Sequence, residues 1–157
     1  MLIVIGGISA IGKSKFVKNN FTNGEVIVEV SKIREELTGD PLNQSMNMKA
    51  FEIAMQRIED NLKEGKTVVY DATNLTKKHR ARAINIAKLL CVTCQIYFFY
   101  VTDYNYLYMS NKWRAFPIPE QVLDRQIAMQ EMPSNTEADV VIRRNMYNEG
   151  EMVFPFI

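Results

Sequence analysis

The 157-residue chain predicts an α/β domain, with a mostly parallel five-stranded sheet covered by helices on both faces. Two observations carry this reading. Short apolar runs with the length of buried strands alternate with helical patterns, the order that produces right-handed crossovers and parallel strands. The first of these runs, Met1 to Ile5, leads into Gly7-Ile8-Ser9-Ala10-Ile11-Gly12-Lys13-Ser14, which fits the phosphate-loop pattern G-x-x-x-x-G-K-[ST]. Lys15 to Lys18 continue it as the first turn of a helix. In that setting backbone N–H groups and a helix N-terminus wrap an anionic phosphate, Lys13 adds a mobile positive charge, and the Ser14 hydroxyl can ligate magnesium. A nucleoside triphosphate is the expected ligand.

The remaining elements follow in order. Val26 to Val30, rich in β-branched residues, reads as the second strand. Ser31 to Leu37 reads as a short helix capped by Ser31 and stopped at Gly39. Met48, Phe51, Met55, Ile58 and Leu62 mark one face of a helix ending near Gly65, with the methionines expected in the core. Thr67 to Asp71 is a third strand ending on an acid. A helix from about Thr76 to Leu90 turns Ala83, Ile84, Ala87 and Leu90 inward. Gln95 to Val101, apolar on both faces, suits a central parallel strand. Tyr104 to Lys112 and Glu120 to Glu131 read as helices separated by Pro117-Ile118-Pro119. Asp139 to Ile142 is the fifth strand, and Met152 to Ile157 a terminal extension. Because ligands bind at the carboxyl ends of such strands, three segments should share one cleft: Gly7–Ser14, Glu29–Arg34 and Asp71–Asn74.

Composition sets bounds. The size suits one domain spanning residues 1–157, and 47% hydrophobic with 24% charged residues is ordinary for a globular chain. A net charge of +1 argues against a large basic field, though not against a local basic groove. No apolar run approaches the ~20 residues that cross a bilayer, and Gly6, Gly7 and Lys13 interrupt the N-terminal run as no signal peptide would. No membrane partner is expected, and the cytoplasm is the expected location. Cys91 and Cys94 form a C-x-x-C spacing without further zinc ligands beyond His79, so both read as small buried apolar residues.

Two further motifs, Val68-Val69-Tyr70-Asp71-Ala72-Thr73-Asn74-Leu75-Thr76 and Ile118-Pro119-Glu120-Gln121-Val122-Leu123, join the phosphate loop. Together they resemble the P-loop kinases grouped around phage-type polynucleotide kinase. The resemblance runs from about Met1 to Ile142 and concerns the kinase domain alone. It implies a three-layer P-loop NTPase fold with a helical lid at about residues 103–120, ATP and magnesium as cofactors, and phosphoryl transfer as the reaction. Lys13 would neutralise the β- and γ-phosphates, Asp71 would orient the water shell of the magnesium held by Ser14, and Arg114 in the lid would reach the transferring group with Lys112 in support. Aligned on Pro119, Trp113 occupies the usual arginine position and Arg114 lies one residue away.

The acceptor side departs from the pattern. Relatives carry D-x-x-R, the aspartate accepting the acceptor's proton and the arginine holding its phosphate. Here the segment is Ser31-Lys32-Ile33-Arg34, and an ordinary serine hydroxyl is no base near neutral pH. Three explanations stand. Glu29, on the same strand face two residues earlier, supplies the carboxylate. Alternatively the acceptor is already an anion clamped by Arg34, as in a nucleoside monophosphate kinase. Or the chain is an ATP-binding module with degenerate catalysis. Thr73 and Asn74 are expected to hydrogen-bond the acceptor. Tyr104, Tyr106, Tyr108 and Trp113 either stack bases of a single-stranded nucleic acid or pack a helix. The resulting expectation is an ATP-dependent kinase acting on a polynucleotide 5′-hydroxyl. A nucleotide or small-metabolite kinase stands as the alternative.

Overall fold

A computed structural model describes residues 1–146 and the backbone of residues 152–156. Strands β1 (Leu2–Gly7), β2 (Val26–Glu29), β3 (Val68–Asp71), β4 (Cys94–Tyr100), β5 (Val140–Met146) and β6 (Met152–Phe156) form one sheet in the order β2-β3-β1-β4-β5-β6. The first five are parallel throughout, as expected. The terminal extension supplies β6, an antiparallel edge strand pairing Arg143 with Phe156 and Met146 with Met152. Residues 147–151 and 157 lie outside the described residues.

Helices α1 (Lys13–Asn20), α2 (Val30–Thr38), α3 (Asn47–Lys63), α4 (Lys77–Leu89), α5 (Tyr104–Lys112) and α6 (Glu120–Met129) cover the sheet. Strand alternation sends Leu2, Val4, Val28, Tyr70, Ile96 and Phe98 to one face, against α2, α3 and α4. Ile3, Ile5, Val69 and Phe99 go to the other, where Val17 of α1, Leu107 of α5 and Leu123 of α6 meet them. The connections after β1 and β4 leave in opposite directions, so β1 lies at the switch point where such sheets bind ligands.

Several local expectations are corrected. The buried stripe of α3 is Ala50, Ala54, Ile58 and Leu62, while Met48 is 82% exposed and Phe51 and Met55 only flank the core. Small residues face inward because α3 lies close against α2 and the sheet. β2 ends at Glu29 rather than Val30, and α2 begins at once, burying Val30 and Ile33. Ser31 is therefore inside the first turn and is not the cap; Glu29, in extended conformation, holds that position. The C-cap is Gly39 at φ 79°, as expected. Cys94 is buried, but Cys91, at φ 55° just past α4, is exposed.

Candidate active site

β1 delivers its chain directly into the loop. At Gly7 φ is 133°, and a Cβ would lie 2.3 Å from the carbonyl oxygen of Phe99, so no larger residue fits. Two more positive-φ residues, Ala10 at 64° and Gly12 at 100°, wind the chain into α1. The first intrahelical bond runs from Phe16 N–H to Gly12 O, leaving the N–H groups of Lys13, Ser14 and Lys15 as the open donors of a helix N-terminus. A brace from the next strand steadies this turn. Gly7 N–H donates to Thr73 O at 2.7 Å, and the Asn74 side-chain amide donates to Ile5 O at 2.7 Å.

Lys13 is buried, and its Nζ donates to Ile8 O at 2.7 Å. Burial lowers its pKa to about 8, against a raising effect of Asp71 and with a further lowering by the charge of Arg114. Asp71, at the end of β3, is also buried. Burial raises its pKa to about 6; Lys13 pulls it down and Glu29 pushes it further up. These carboxylates are strand neighbours, because Glu29 pairs with Asp71 and Asp71 with Ile5 in register. In-register parallel partners share a face, so both acids stand on the α1 side of the sheet with Lys13.

Both Glu29 oxygens are engaged. The Ser31 hydroxyl donates to Oε1 at 2.6 Å, and Lys32 Nζ lies 3.2 Å from Oε2. The serine that stands in place of the expected aspartate thus tethers the carboxylate two residues earlier. Arg34, one turn further along α2, is half-buried and its Nε has no partner. Burial lowers its pKa, and the neighbouring Tyr70 opposes that shift. Asn74 does not stand free for an acceptor as the motif suggested. It is 3% exposed, at φ 43°, with its amide spent on β1, because the tight turn after β3 needs a polar side chain to satisfy the Ile5 carbonyl.

The segment expected to form a lid, residues 103–120, contains α5, a turn and the start of α6. Asn111 grips both ends of the Ile118 peptide group, donating to its carbonyl at 2.6 Å and accepting from its N–H at 2.8 Å. Between them the turn projects Lys112, Trp113, Arg114 and Phe116 into solvent. Tyr108 donates to Asp124 and Tyr104 accepts from Gln130, so these two tyrosines tie α5 to α6. Gln126 of α6, which no motif singled out, reaches the phosphate loop: Ser9 N–H donates to its Oε1 at 2.7 Å and its Nε2 donates to Ser9 Oγ at 3.0 Å. One signal for it existed, since Gln126 lies three residues after the buried Leu123 on the inward stripe of α6.

Among the described residues no group of three or more His, Cys, Asp or Glu is assembled to hold a metal alone. Ser14 is exposed at the helix start, and Asp71 and Glu29 face the same side. The Ser14 hydroxyl and the Asp71 carboxylate are hard oxygen donors, suited to magnesium, which keeps water ligands and binds nucleotide phosphates. The donor set fits that ion.

Among curated proteins none matches by sequence. Solved structures share the fold. A gluconokinase from Sinorhizobium meliloti is 19% identical, with 90% of this chain and 81% of that one covered at a TM-score of 0.60. A putative kinase from Chloroflexus aurantiacus is 13% identical, with 92% and 84% covered at 0.69. A chain of a Pnkp1/Rnl/Hen1 complex is 15% identical, with 99% and 45% covered at 0.54. At these identities the likeness is one of fold. Residues 2–133 match the family model described as AAA domain, which takes in the loop, both strand-end acids, α5 and α6: the chain belongs to the AAA domain family, with a P-loop NTPase-like α/β fold.

Proposed function

We propose that the protein is an ATP-dependent kinase that transfers the γ-phosphoryl group to an acceptor hydroxyl. The observation that carries this reading is the convergence of Lys13, Asp71 and the tethered Glu29 on one face of the sheet, at the mouth of the phosphate loop. Phosphoryl transfer asks mainly for charge stabilisation and alignment, and the loop N–H groups, Lys13 and Arg114 supply these. The acceptor oxygen forms its bond to the γ-phosphorus as the bond to the β,γ-bridging oxygen breaks; ADP leaves, and the hydroxyl proton passes to the Glu29 carboxylate. Ser31 and Lys32 hold that carboxylate in place. Magnesium, bound through Ser14 with Asp71 orienting its waters, would neutralise phosphate charge.

The acceptor we favour is the 5′-hydroxyl of a single-stranded polynucleotide. Arg34, a half-buried guanidinium with an unpartnered Nε, is suited to a backbone phosphate, and Trp113 beside Lys112 to a base. A small-metabolite acceptor is the second reading, and the kinship of fold with a gluconokinase and a shikimate kinase favours it. Transfer of labelled γ-phosphate from Mg·ATP to 5′-hydroxyl DNA and RNA oligonucleotides, nucleoside monophosphates and sugars separates the two. Label on oligonucleotides supports the first, label on metabolites alone supports the second, and an unlabelled panel rejects the kinase reading.

A further inference from the structure

The peptide group joining Ile8 to Ser9 is held at both ends. Its carbonyl accepts from Lys13 Nζ at 2.7 Å and its N–H donates to Gln126 Oε1 at 2.7 Å. The two holds differ in permanence. On the kinase reading, on which this inference rests, Lys13 leaves the Ile8 carbonyl to meet the nucleotide phosphates. Gln126 then becomes what keeps the peptide from turning over.

The second bond of the same carboxamide sets a proton. A backbone N–H can only donate, so it must face Oε1, and this fixes the amide orientation and leaves Nε2 to donate to Ser9 Oγ at 3.0 Å. The Ser9 hydroxyl is therefore an acceptor toward Gln126, and its single O–H must point elsewhere. Among the described residues no acceptor takes it. Ser9 is half-buried, and its peptide group is where Lys13 Nζ now sits; on the kinase reading this lysine meets the β- and γ-phosphates, which brings the terminal phosphate to Ser9.

We infer that Gln126 is a positioning residue that turns the Ser9 hydroxyl toward the γ-phosphate, so that Ser9 Oγ–H replaces the loop donor that Gln126 occupies. The α6 helix is built for the task, since Leu123 is fully buried and Val122 and Ile127 pack on the same core as Ile8 and Ile11.

A hydrogen bond to a charged group contributes about 1.5–3 kcal/mol, so its loss should weaken binding ~10- to 150-fold. The test is titration of Mg·ATP and Mg·ADP into the wild-type protein, Ser9→Ala, Ser9→Thr, Gln126→Ala and the Ser9→Ala/Gln126→Ala double variant, with folding checked by thermal melting. The inference expects Ser9→Ala and Gln126→Ala each to lose ATP affinity by ~10-fold or more while ADP affinity stays within about twofold. Ser9→Thr should keep both nucleotides, and the double variant should be no worse than the poorer single. Equal losses for ATP and ADP, or single effects that add, would overturn it and leave the kinase reading standing. A wild-type protein that binds neither nucleotide would remove both.

Discussion

Burial moves the two charged groups at the mouth of the loop in opposite directions, Asp71 up to about 6 and Lys13 down to about 8. Between those values the free protein holds both in the charged form that phosphate and metal binding use. kcat/KM for ATP, which reports the free enzyme, should rise with pH through about 6 and fall through about 8. Asp71→Asn should abolish the acid limb. It should also shift the alkaline limb to lower pH, because the Asp71 charge is what raises Lys13. A stability effect accompanies this. The folded Asp71 binds its proton more tightly than the unfolded residue, so its contribution is full below pH ~4 and is lost as pH rises through about 6. Two pKa units correspond to about 3 kcal/mol. Urea unfolding at pH 4 and pH 7 should therefore show wild type losing about that much more than Asp71→Asn. Lys13→Ala should remove turnover under any kinase reading, and retained γ-phosphate transfer would reject the assignment.

Arg80 on α4 carries the largest consequence among the secondary elements. It is fully buried, paired to Glu137 through Nε at 2.8 Å and Nη2 at 3.0 Å. Its Nη1 donates to the carbonyls of Asn74, Leu75 and Glu131. One side chain thereby joins the turn after β3, the end of α6 and the approach to β5. Glu137 is pushed up by burial, but the Arg80 hydrogen bond, the Ser134 N–H and the Arg80 charge together hold it below the usual carboxylate range. Breaking a buried pair strands a charge, at about 3–5 kcal/mol. Chemical denaturation should give that loss for Glu137→Leu, and Arg80→Met/Glu137→Leu should recover little of it, because the carbonyls that Nη1 serves then lose their donor. The helix and its inward Ala83, Ile84 and Ala87 are legible in the 3.6-residue spacing, and that spacing also turns Arg80 inward. Its partner, 57 residues away, is not legible. For the same reason the Gln126 clasp, 117 residues from Ser9, escapes a motif search, whereas the loop itself is visible because its chemistry is local. α3 misleads differently: bulky residues mark its pattern, yet the close packing admits alanine.

At the scale of the whole molecule, the turn after α5 lies near enough to the phosphate loop for the Arg114 charge to act on Lys13, and the chain's single tryptophan sits on that turn. Trp113 is 86% exposed, which leaves the face of its indole open to a ligand. The Asn111–Ile118 clamp holds the base of the turn. With no competing indole, Trp113 emission should be red-shifted in the free protein, as for indole in water. A single-stranded 5′-hydroxyl oligonucleotide should quench or blue-shift it, and sugars should leave it unchanged. Stacking on one aromatic is worth about 1–3 kcal/mol per base, so Trp113→Ala should weaken oligonucleotide binding ~5- to 150-fold and leave Mg·ATP affinity as it was. The net charge of +1 makes this contact more telling than in a strongly basic protein. Phosphate contacts would be few, the dependence on salt shallow, and stacking would carry much of the affinity. Emission that ignores oligonucleotides, with turnover found only on a sugar or other metabolite, would transfer the acceptor pocket to the small-molecule reading and leave Trp113 without a part in it.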